Sequence, residues 1–150
     1  MKIEYNNLYT HLIFVTFKRQ KLISENNRVR IEKYITGIVS NTASKLYAIY
    51  ANPDHLHFLV SRSHQISEAQ LATLIADSSE RFINDNQLCE VEFIWQQSAS
   101  AFSVSKSDIN KVCNYILNQE EHHKKFTFEE EYEKFVRHYQ GTLDNKSKDR

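Results

Sequence analysis

Apolar residues alternate with polar ones in some stretches of this chain and recur every three or four residues in others. The points where the period changes mark out its elements. Tyr9 to Thr16 is β-branched and aromatic with both faces largely apolar, which predicts a central strand. A helix follows to about Ser44, with Asn26 or Asn27 as its cap and Val29, Tyr34, Ile35, Ile38 and Val39 near helical spacing. Lys45 to Ala51 reads as a second strand, and the run after Pro53 as a third. The Asn52-Pro53-Asp54 turn between them predicts a hairpin. Ser67 with Gln70 forms a capping-box pattern ahead of a helix from about Glu68 to Asn86. Glu92 to Gln96 reads as a short fourth strand.

This order, β-α-β-β-α-β, is the ferredoxin-like, split β-α-β pattern of an α+β fold. It predicts a four-stranded antiparallel sheet with both helices on one face and the other face open to a ligand or partner. Beyond it, Ala101 to Val104 leads into a third helix. Ser105 and Asp108 resemble a capping box there, and Ile109, Val112, Cys113, Ile116 and Leu117 form the apolar stripe. Tyr115 and Gln119 sit at i, i+4 and so share a face of that helix. Thr127 and Glu130 open a last helix through Tyr132, Phe135 and Val136, and a polar tail follows Gly141. Neither a repeat nor a long linker divides the 150 residues, which predicts one domain with its core over about 8–138 and its tail over about 141–150.

Lys+Arg and Asp+Glu both number 19, so there is no broad electrostatic grip on duplex nucleic acid, although a local basic patch remains open. Two cysteines without CxxC spacing, and no targeting segment, make a reducing cytoplasm the expected compartment. No apolar run approaches the length of a membrane span. With only two glycines, Gly-rich phosphate loops are absent, so no nucleotide cofactor is expected.

The candidate chemistry centres on His55-Leu56-His57. Side chains alternate faces on a strand, so the two imidazoles point one way while Leu56, Phe58 and Val60 point the other, which makes a half-site for a metal ion. The competing reading is a strand with two surface histidines. His11, alone on the first strand, reads as a hydrogen-bonded core or edge histidine. Lys18, Arg19 and Lys21 form a basic cluster that is either a solvated loop or a phosphate contact. No Gly-x-Ser-x-Gly elbow occurs. His122 and His123 are adjacent and read as solvated or near a helix end rather than as ligands. A histidine pair with a distant amide or carboxylate stays open, as does a tyrosine nucleophile.

Pro53-Asp-His-Leu-His-Phe-Leu-Val60 resembles the HUH motif (histidine, bulky apolar residue, histidine) of single-tyrosine transposases of the insertion-sequence 200/605 class. Tyr9 to Val15 is similar to that family's first strand. Phe102 to Ser105, with Val112-Cys-Asn-Tyr115-Ile-Leu-Asn-Gln119 through His123 and on to Tyr132, is similar to its tyrosine helix and the segment after that helix. The likeness spans about residues 8–138. It departs at Leu74 to Ser79, which lacks a lysine that members often carry, and at Ser98 to Ala101, where members often have glycines.

The resemblance implies that Tyr115 is the nucleophile and that His55, His57 and Gln119 hold Mg²⁺ or Mn²⁺. Residue chemistry alone would favour a softer ion for two imidazoles. It implies a DNA transposase that cleaves and rejoins single-stranded DNA at imperfect hairpins on element ends through a 5′-phosphotyrosine. It also implies a homodimer in which each tyrosine helix completes the partner's histidine site, with Lys18, Arg19 and Lys21 contacting DNA. Two alternatives keep the scaffold. One is a non-catalytic or domesticated hairpin-DNA-binding, regulatory protein; the other is a metal-dependent phosphoesterase.

Overall fold

The computed structural model describes residues 6–137. The expected polar tail from 141 and the expected core limit at 138 lie outside the described residues. The chain divides into two compact units, Met1–Leu117 and Asn118–Arg150.

The first unit holds the sheet. Its strands are β1 (Tyr9–Val15), β2 (Lys45–Ala51), β3 (His55–Ser61) and β4 (Ser100–Ser103), in the antiparallel order β2-β3-β1-β4. This is the ferredoxin-like order, with β1 central as its two apolar faces require. The helices α1 (Glu25–Asn41) and α2 (Glu68–Asp85) cover one face. There Leu12, Phe14, Leu56, Phe58 and Val60 from the two central strands meet Ile31, Ile35, Val39, Leu71, Ile75 and Ile83 from the helices. The opposite face takes α3 (Ile109–Leu117), whose Ile116 packs with Tyr9, Ala48 and Leu59.

Three expectations are corrected. The fourth strand is β4, not Glu92 to Gln96; the latter makes only an isolated bridge, Thr16 to Trp95. Around that bridge the Phe17 N–H donates to the Ile94 carbonyl at 2.9 Å and the Gln96 N–H to the Val15 carbonyl at 2.7 Å, and side chains of α2 take up the backbone of Phe93 and the Trp95 N–H. Asn84 brackets Phe93 with hydrogen bonds of 2.7 and 3.0 Å, and the Trp95 N–H donates to Glu80 at 2.9 Å. Phe93 and Trp95 are buried in the core, so the stretch is extended and packed without a ladder.

The cap of α1 is Ser24, in extended backbone. Asn27 instead donates its side-chain amide to the Leu88 carbonyl at 2.9 Å. The Ser67–Gln70 capping box on α2 forms with both of its hydrogen bonds.

The third correction is that Tyr115 and Gln119 do not share a continuous helix. Asn118, at φ −100° and ψ 21°, separates α3 from α4 (Gln119–Lys125). In the second unit the Glu130 N–H donates to Thr127 Oγ1 at 3.2 Å at the start of a helix described over 128–137, as expected.

Candidate active site

The site is built on the face of the sheet turned away from α1 and α2. The pairing of β1 with β3 sets Ile13 opposite His57 and His11 opposite Leu59. Residues directly opposite one another share a face, so His11 and His57 are diagonal neighbours on it. Both are fully buried, and His55 is 1% exposed. The reading of a strand that carries two surface histidines is thereby excluded.

The turn before β3 is fixed by the segment after β1. The Leu22 and Ile23 N–H groups both donate to the Pro53 carbonyl, at 2.9 and 3.0 Å, and the Thr16 N–H donates to the Asp54 carbonyl at 3.0 Å. Lys18 and Arg19, at φ 56° each, sit in the left-handed region. That costs a residue with a side chain about 1–2 kcal/mol each. The turn directs Arg19 back onto the site, its guanidinium 3.6 Å from Asp54 Oδ2. Of the three basic residues singled out, Arg19 alone is tied to the histidine strand in this way. Lys18 lies over the Phe17 ring, and Lys21 is exposed.

The other Asp54 oxygen lies 2.7 Å from His55 Nδ1. Burial alone would raise the Asp54 carboxyl. The hydrogen bond from His55 and the Arg19 guanidinium outweigh burial and hold it below the usual carboxylate range. An ionised carboxylate only accepts, so His55 Nδ1 carries the proton. His55 Nε2 then presents its lone pair, 3.1 Å from the Asn52 side-chain amide. His57 lies beside it, ring centroids 5.1 Å apart, with its Nδ1 3.0 Å from His11 Nε2.

The Tyr115 ring on α3 meets His57 edge to face, centroids 5.8 Å apart at 87°. Ile116 beside it is fully buried with Leu59 and anchors the helix. The structure thus brings together His55, His57 and Tyr115, with Arg19 joined through Asp54. Two adjacent imidazoles, one with its Nε2 left as an acceptor beside the Asn52 amide, form a donor set that fits a divalent cation.

Gln119 belongs to the second unit. There its Oε1 lies 2.9 Å from His123 Nε2. That nitrogen and His122 Nε2 each lie 3.1 Å from Glu131 Oε2. His122 and His123 are therefore both engaged by one carboxylate. Reading them as solvated missed this, because Glu131 reaches them from the next helix, beyond any local spacing rule. Asp54 and Asn52 were legible only as turn residues. Their one sequence signal was that they sit immediately before the first histidine.

A family profile described as "Transposase IS200 like" matches residues 4–119. The chain belongs to this IS200-like transposase family. Among solved structures, a candidate transposase from Deinococcus radiodurans R1 is similar at 19% identity and TM-score 0.62, over 79% of this chain and 95% of that one. A REP-associated tyrosine transposase bound to a REP hairpin is similar at 13% identity and TM-score 0.59, over 82% of this chain and 72% of that one. At these identities the likeness is one of fold. No curated protein matches the chain. Among the described residues, no helix is long and apolar enough to cross a membrane.

Proposed function

We propose that this chain cleaves and rejoins single-stranded DNA at hairpin-bearing element ends through a covalent link from Tyr115 to a 5′ phosphate. The observation that carries the reading is the contact between Tyr115 and His57, beside His55, in a chain of the transposase family. The REP hairpin held by the relative of similar fold supports hairpin DNA as the substrate.

The Tyr115 oxygen attacks phosphorus in line. A bond from phosphorus to the phenolic oxygen forms as the bond to the 3′ oxygen breaks. The phenol gives up a proton and the leaving 3′ oxygen takes one, so the products are a 5′-phosphotyrosine and a free 3′-OH. The linkage keeps its phosphodiester energy, and a second 3′-OH can reverse the step without a nucleotide cofactor. A phenol with an ordinary pKa of about 10 is protonated at neutral pH and needs activation at the phosphate. Mg²⁺ or Mn²⁺, held by His55, His57 and Gln119, would polarise the phosphate and stabilise charge on the leaving oxygen. Asp54 orients His55, and α3 holds the Tyr115 ring against His57. Arg19, Lys18 and Lys21 contact DNA phosphates, with Arg19 nearest the histidines through its pairing with Asp54.

The active form is a homodimer. The contact within one chain supports a resting state in which each tyrosine stands beside its own histidines.

The test is to incubate the full chain with labelled single-stranded DNA from the flanks of its own gene, with Mn²⁺ or Mg²⁺, and to run a denaturing gel. A metal-dependent shifted protein band that is lost in Tyr115→Phe supports the reading. Hairpin binding without a band, unchanged in Tyr115→Phe, supports a regulatory hairpin-binding protein instead. Turnover without a band indicates a phosphoesterase.

A further inference from the structure

We propose that His11 is a positioning residue for His57: its Nε2 accepts a hydrogen bond from the Nδ1–H of His57 and so holds His57 in the tautomer whose Nε2 lone pair faces the reaction site. This rests on the reading of His57 as a ligand and adds a residue to it. His11 is fully buried on the central strand, and its Nε2 lies 3.0 Å from His57 Nδ1. One proton is shared across that distance, and it can be placed in two ways. If His11 donates, His57 carries its own proton on Nε2 and can neither bind a cation nor accept a hydrogen bond there. If His57 donates, its Nε2 is a lone pair.

His55 reaches the second state through a carboxylate, Asp54, at 2.7 Å. His57 has an imidazole in the corresponding place. The two ligands then present matching nitrogens although different elements hold them: the turn before β3 for His55, and β1 for His57. Metal-binding histidines as a rule donate a hydrogen bond from the other ring N–H to an acceptor, commonly a carboxylate, a backbone carbonyl or water; here the acceptor is an imidazole nitrogen. The requirement also explains why the central strand spends a buried position on histidine, where either an apolar side chain or a hydrogen-bonded polar one would otherwise be expected.

The test uses the full chain with nitrogen-15 histidine at one neutral pH, without metal, and two variants. His11→Gln keeps an acceptor near the position of Nε2; His11→Leu removes it. Long-range proton–nitrogen correlation spectra read the His57 tautomer, and calorimetric titration reads Mn²⁺ binding. The proposal expects the Nδ1-protonated form in the native chain and in His11→Gln. In His11→Leu it expects loss of that form, together with Mn²⁺ binding weakened about 10- to 100-fold. An Nε2-protonated His57 in the native chain overturns it, as does His11→Leu with an unchanged tautomer and unchanged Mn²⁺ affinity. If His11→Leu fails to fold, as judged by circular dichroism, the native chain and His11→Gln decide by the same criteria. A native chain that takes up no Mn²⁺ or Mg²⁺ defeats the metal reading and not this one, because the His57 tautomer still reports the hydrogen bond.

Discussion

The phenol ring of Tyr115 stands edge-on to the imidazole of His57, centroids 5.8 Å apart, and both rings belong to one chain. A tyrosine that serves its own histidines and one that serves a partner's differ in a mixing experiment. If His57→Ala chains are combined with Tyr115→Phe chains, no mixed dimer contains an intact in-chain pair. An in-chain site then yields no covalent DNA adduct. Adduct restored to near the level expected for a random mixture means that the tyrosine crosses to the partner.

Asp54 couples Arg19 to His55, with oxygens 3.6 Å from one and 2.7 Å from the other. Asp54→Ala removes the acceptor that fixes the His55 tautomer. Mn²⁺ affinity is expected to fall about 10- to 100-fold, the usual cost of losing the partner of a metal-binding histidine. Calorimetric titration checks this, with circular dichroism confirming that the fold is kept.

Gly37 lies inside α1, and a methyl group added there meets nothing within 4 Å. Gly37→Ala is expected to stabilise the protein by about 0.5–1 kcal/mol, through helix propensity and a less flexible unfolded chain. A urea unfolding curve should show a higher midpoint with an unchanged slope.

Ile116 is fully buried between α3 and the sheet, next to Tyr115. Ile116→Ala leaves a cavity costing about 2–5 kcal/mol. Hydrogen exchange should show the amides of α3 losing protection ahead of those of β1 and β3, because both strands are paired on each side within the sheet. Adduct formation should fall with it.

Burial raises both thiols, Cys89 and Cys113, above the ordinary cysteine value. At pH 8 each therefore holds less thiolate than a free cysteine. Because the thiolate is the reactive form, iodoacetamide should label both more slowly than it labels glutathione, and unfolding in urea should remove the difference.

Much of this was legible along the chain. Two apolar faces marked β1 as central, and the period-two run after Pro53 put His55 and His57 on the face opposite Leu56 and Phe58. Both inferences are local, and alternation on a strand leaves no freedom once its register is set. The fourth strand was misplaced because Phe93, Ile94 and Trp95 have the composition of a strand. Their backbone partners come from Asn84 and Glu80 on α2 and, for Ile94, from the Phe17 N–H, a tertiary arrangement invisible in the pattern. The break at Asn118 was hidden for the converse reason, since the residues on both sides favour helix. The acceptors around the histidines, His11 and Asp54, and the carboxylate of Glu131 between His122 and His123, depend on contacts between elements that spacing does not encode.

Everything proposed for this site turns on Tyr115 becoming bonded to DNA. The most direct measurement is mass spectrometry of the adduct, after nuclease and trypsin digestion, from a reaction with flanking single-stranded DNA and Mn²⁺. A nucleotide is expected on the peptide containing Tyr115, attached through a 5′ phosphate and absent without metal. A nucleotide on another residue, or cleaved DNA with no modified peptide, would contradict it.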